Sequence, residues 1–129
     1  MINEAEVYFA LFGENVEPDE ITKIVGLEPT EAQRREPPKK SSWKLSSGKV
    51  AADHIDIYEI SSALVSRLLP QLGEIQTAIH HHHLESVLEV VLWISTDEGI
   101  STPAIGFDSR VISFLSSVGA EIDIDTYLA

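Results

Sequence analysis

The sequence predicts an α+β fold, a ferredoxin-like sandwich of two β-α-β units with a mainly antiparallel sheet and an added long central helix. Three observations carry that expectation. Segments of period two and of period three to four alternate along the chain. The pattern of strand, loop, helix, glycine and strand occurs in Val7–Leu45 and again in Glu85–Leu128. The chain has 129 residues, enough for one domain over 1–129, and its 43% hydrophobic content suffices for a core.

Glu4–Phe12 opens the series, with Val7, Phe9 and Leu11 alternating against Glu6, Tyr8 and Ala10, which reads as a strand. A turn at Gly13-Glu14-Asn15 leads to Pro18, well placed for the first position of a helix, and Asp19 and Glu20 complement the helix dipole. Ile21, Ile24 and Val25 form the buried stripe of this short helix, and Gly26 ends it. The chain then changes character from Leu27 to Lys40, where Pro29, Pro37 and Pro38 restrict the backbone. Ser42–Ser46 alternates again, predicting a short strand, and Ser46–Lys49 a loop.

The longest helical signal runs from Asp56 to His82, where Ile57, Ile60, Leu64, Leu68, Leu72, Ile75 and Ile79 form one stripe. Pro70 predicts a kink, or two abutting helices with a break near Leu69. Glu85–Ser95 is the strongest strand, and both its faces are largely apolar, as expected of a central strand covered on both sides. Thr96–Gly106 reads as a long loop. Asp108 or Ser109 caps a helix bearing Val111, Ile112, Leu115 and Val118, ended by Gly119. The last strand is Glu121–Leu128, with Ile122, Ile124 and Leu128 facing inward.

Composition narrows function. Nine basic against 21 acidic residues give a formal charge of −12, which opposes binding to nucleic acid. No apolar run reaches the roughly 20 residues of a membrane span, so no membrane partner is expected. The opening Met1-Ile2-Asn3-Glu4 does not resemble a secretory signal. Cysteine is absent, which removes disulfides, thiolate metal sites and cysteine nucleophiles and fits a cytoplasmic protein.

Three clusters invite chemistry. His80-His81-His82-His83 places His80 and His83 on one helix face, as two metal ligands would be. Imidazoles at a helix C-terminus also suit the dipole, and no carboxylate completes a ligand spacing, so no metal is assigned. Glu121, Asp123 and Asp125 project from one face of the last strand. Their spacing along it, about 6–7 Å, keeps all three from one small ion and favours a solvated or internally paired face.

The basic stretch is the most unusual feature. Arg34, Arg35, Lys39, Lys40, Lys44 and Lys49 are six of the nine basic residues, with Glu36 the one acid among them. The rest of the chain holds three basic and twenty acidic residues. Arg34, Arg35, Lys40, Trp43 and Lys44 are therefore the candidate binding residues for a small anionic ligand or an acidic peptide. The alternative is that this segment neutralises Glu121, Asp123 or Asp125 of its own fold, with Trp43 a core residue. No nucleotide-binding or nucleophile-elbow motif is present, so no catalytic residue and no cofactor are assigned, and the reading leans away from an enzyme.

Ile21-Thr22, Leu27-Glu28-Pro29-Thr30, Ser42–Ser46 and the closing Gly119-Ala120-Glu121-Ile122-Asp123-Ile124-Asp125-Thr126-Tyr127 resemble the bacterial domain of unknown function 4279 family. The resemblance covers nearly the whole chain and implies a small soluble bacterial protein without an assigned activity. It departs from the family pattern in lacking a glycine after Thr30 and in carrying the histidine run. The resulting expectation is a non-catalytic binding or regulatory module. The two apolar faces of Glu85–Ser95 suggest a homodimer. The alternatives are an immunity-type inhibitor of a basic toxin and an undetected enzyme or small-molecule-binding protein.

Overall fold

A computed structural model describes residues 1–129 as a six-stranded, mostly antiparallel sheet with helices packed on one face. The elements follow in the order β1 (Asn3–Glu14), α1 (Pro18–Val25), β2 (Glu31–Gln33), β3 (Lys40–Ser46) and β4 (Val50–Ala52), then α2 (Ile57–Leu68). A 3-10 turn (Leu69–Gln71), α3 (Leu72–His82), β5 (Glu85–Ile94), α4 (Ser109–Ser117) and β6 (Glu121–Leu128) complete the chain. No helix is long and apolar enough to cross a membrane.

The strand order is β2–β3–β1–β5–β6, with β4 also paired to the start of β1. β1 lies at the centre, antiparallel to β3 and to β5, whereas β5 and β6 are parallel. The two halves are thus unlike: β1-α1-β3 joins antiparallel neighbours, and β5-α4-β6 joins parallel ones. This order supports a mixed α+β sandwich and does not establish a ferredoxin-like pairing of two equal units.

Local chemistry accounts for the helices. Pro18 opens α1, and Gly26 ends it at φ 81°, a conformation glycine adopts without strain. The Asp56 and Asp108 side chains accept from the backbone N–H groups of Tyr58 and Val111 and cap α2 and α4. Pro70 lies in the 3-10 turn, so the long stripe is two abutting helices with the break at Leu69–Gln71.

All four helices share one core with the sheet. Val7, Phe9 and Leu11 of β1, Trp43 and Leu45 of β3, and Leu88, Val90 and Leu92 of β5 meet Ile21, Leu64, Leu68, Ile75 and Phe114 there. The other face of the sheet carries no helix.

Three expectations change. β2 and β4, three residues each, are strands to which the sequence pattern assigns no element, because so short a segment has no measurable period. β5 is covered by helices on one face only. Val87, Val91 and Trp93 on its other side are half-buried by their neighbours within the sheet. Ile122 and Ile124 share the helix side of the sheet but are each 40% exposed, and Leu128 is 80% exposed, because β6 is an edge strand that α4 overhangs incompletely.

Candidate functional site

The uncovered face is the most distinctive surface of the molecule. Residues paired across neighbouring strands project to the same side, so the register fixes its composition. Tyr8 pairs with Ser46 on one side and Glu89 on the other, and Glu89 pairs with Asp123. Further along, Glu6, Val91 and Asp125 form one row, and Glu4, Trp93 and Tyr127 the next. The rings of Trp93 and Tyr127 stack with centroids 6.1 Å apart, and the Lys49 Nζ lies 4.4 Å from the Trp93 centroid.

Charge is partitioned across this face. At the β5–β6 end, carboxylate oxygens of Glu89, Asp123 and Asp125 lie within 4.8 Å of one another. Glu89 is only 6% exposed, and its Oε1 has no hydrogen-bond partner. Burial pushes Glu89 up to about 8. Hydrogen bonds that its protonated form makes to Asp125 and Asp123, and the negative charge of both, act in the same direction. Burial also raises Tyr8, reinforced by the charges of Glu89, Glu6, Asp125 and Glu31.

At the β2–β3 end, Arg35, Lys39, Lys40 and Lys44 line one shallow hollow of about 470 Å³ with Gln33 and Ser42. Lys40 Nζ is 2.7 Å from Glu85 Oε1, and Lys44 Nζ lies 4.8 Å from the Tyr8 ring centroid. The structure therefore brings together three of the five predicted binding residues, Arg35, Lys40 and Lys44. Arg34 turns away, its Nε 2.9 Å from Glu17 Oε1. Trp43 is fully buried, and its indole N–H donates to Thr22 Oγ1 at 3.0 Å. It has no surface to offer a ligand, because in a strand it must face opposite to Lys44. None of the basic residues pairs with Glu121, Asp123 or Asp125, since β2 and β6 are opposite edges of the sheet.

The family model for the Domain of unknown function (DUF4279) matches residues 3–129. The chain belongs to the DUF4279 family. No curated protein and no solved structure matches it. In this DUF4279 chain the histidine run forms the last turn of α3, His83 being the C-cap at φ 53°. His82 Nε2 lies 3.7 Å from Glu20 Oε2, so the end of α3 sits beside α1.

A second concavity of about 470 Å³ opens between α2 and the β3–β4 turn, where Arg67, His54 and Glu59 surround Val50, Ile60 and Leu64. Arg67 is already engaged, reaching the Ser46 carbonyl at 3.4 Å.

Spacing along β6 alone missed the carboxylate cluster. The third member comes from β5, and Glu121 stays outside the group. The available signal was Glu89 itself, an ionisable residue amid Val87, Leu88, Val90 and Val91.

Proposed function

We propose that this DUF4279 protein is a non-catalytic binding module whose working surface is the open face of the sheet, and that the face docks a cationic surface of a protein partner. The observation that carries this reading is the acidic β5–β6 end beside the stack of half-buried Trp93 on exposed Tyr127, with no helix laid over it. Carboxylates steer a basic partner and set its orientation, while the aromatic pair supplies desolvated contact area. An immunity-type inhibitor covering a basic toxin works through a surface of this chemistry.

A second copy of the chain is the poorer occupant. A two-fold axis across the strands sets Asp123 and Asp125 against their own copies. An axis along the strands offers them Lys40 and Lys44, which already engage Glu85 and Tyr8. The small-anion reading keeps only Arg35, Lys40 and Lys44, spread over an open hollow.

Two measurements test the proposal. Sedimentation at micromolar concentration should give a monomer. A lysine-rich peptide should change Trp93 fluorescence at low salt, with the response suppressed by Asp123→Lys with Asp125→Lys and retained in Arg35→Glu with Lys44→Glu. A dimer, or an equal response in both double variants, contradicts the reading.

A further inference from the structure

Within the open face, one group of atoms is arranged for something smaller than a protein. Glu89 and Asp123 stand in register on adjacent parallel strands, and Asp125 follows two residues along β6. Their oxygens lie within 4.8 Å of one another. No side-chain cation of the chain reaches them: Lys40 is held by Glu85, Lys49 by Glu4, and Arg34 by Glu17. Asp123 and Asp125 so placed repel one another, and both charges disfavour ionisation of Glu89.

The second observation is Glu89 itself, a side chain more than nine-tenths buried that offers one oxygen to the group and whose Oε1 is left without a hydrogen-bond partner. Buried polar atoms almost always find partners, and beside Asp123 and Asp125 the partner is either a proton shared with them or a cation in that proton's place.

We propose that Glu89, Asp123 and Asp125 bind a hard divalent cation, calcium ahead of magnesium. All three donors are carboxylate oxygens, the ligand type of such ions, with no imidazole or thiolate among them. Mutual separations of at most 4.8 Å let all three oxygens approach one ion, and calcium's variable, water-completed coordination suits a half-open strand surface better than magnesium's strict octahedron. Asp123 and Asp125 are exposed, so water completes the coordination and affinity falls in the weak range of about 0.1–1 mM. Paired strands fix the donors, so little ordering accompanies binding. The site needs no protein partner and goes beyond the docking role.

The test is calorimetric titration of the full chain with calcium and then magnesium, alongside terbium luminescence sensitised by Trp93 two residues from Val91 on the same strand face. Calcium should bind at one site, more tightly than magnesium. Asp123→Asn and Asp125→Asn should each weaken it by at least about tenfold, and Glu121→Gln should leave it within about twofold. Glu89→Gln, which matches the neutral acid in shape, should fold and also bind weakly. Trp93→Phe should dim terbium emission without changing calcium affinity. The proposal is overturned by absence of calcium heat up to about 10 mM. It is equally overturned if Glu121→Gln weakens binding as much as Asp123→Asn, since that marks a diffuse acidic surface, or if the Asn variants bind as the parent does.

Discussion

Glu89 of β5 and Asp123 of β6 are in-register neighbours on parallel strands, and their carboxylates project from the open face of the sheet. That relationship sets the chemistry of the region. A carboxyl among apolar residues is driven toward its neutral form, and two nearby carboxylates push it further.

A pH dependence follows. Glu89 keeps its proton to about 8 in the folded chain, against an ordinary value of 4.5. Between those values the unfolded chain releases a proton that the folded chain retains, so this group's stabilising contribution is complete below pH 4.5 and is lost as pH rises toward 8. Discounted for solvent screening, the loss is about 1–3 kcal/mol. Urea titrations in chelator across this range should show the decline, and Glu89→Gln should flatten it and be the more stable form at the alkaline end.

Trp43 anchors the core from β3, fully buried and hydrogen-bonded to Thr22 of α1. Trp43→Ala should cost about 3–5 kcal/mol in denaturant titration. Trp93→Ala, on the half-buried open face, should cost clearly less. Equal losses would mean that the open face is covered as the core is.

Lys40 and Glu85 form an exposed pair at 2.7 Å joining β3 and β5 across the open face. Lys40→Ala should cost less than about 1 kcal/mol, as solvent-exposed pairs do. The same change should free Glu85 and strengthen attraction of a lysine-rich peptide, measured as a lower Kd at low salt.

Asp108 accepts from the Val111 N–H at 2.8 Å, and that bond holds its carboxyl below the ordinary value of 3.8. A lowered folded value means that the cap stabilises above pH 3.8 and is lost as pH falls below it. Asp108→Asn, which retains a capping oxygen, should melt above Asp108→Ala at neutral pH in a thermal scan.

Much of the element order was legible because β1, β3, β5, α1, α4 and the α2–α3 stripe are long enough to show a period. The break at Pro70 followed from the missing N–H of proline and its steric bulk. Strand order was not legible, since pairing β1 with both β3 and β5 depends on contacts far apart in sequence. The carboxylate cluster was hidden for the same reason. Asp123 and Asp125 were visible on β6, but their partner Glu89 comes into place only when β5 and β6 lie parallel in this register. The basic group was legible in charge and misleading in geometry, because it drew Trp43 and Lys44 together from opposite faces of one strand.

The central claim is that the open sheet face, at its β5–β6 end, receives cationic ligands. Nuclear magnetic resonance mapping of backbone amides during titration with a lysine-rich peptide tests it most directly. The account predicts shift changes centred on Glu89, Val91, Trp93, Asp123, Asp125 and Tyr127, diminishing with added salt. Changes centred on α2 and α4, or none at all at low salt, would contradict it.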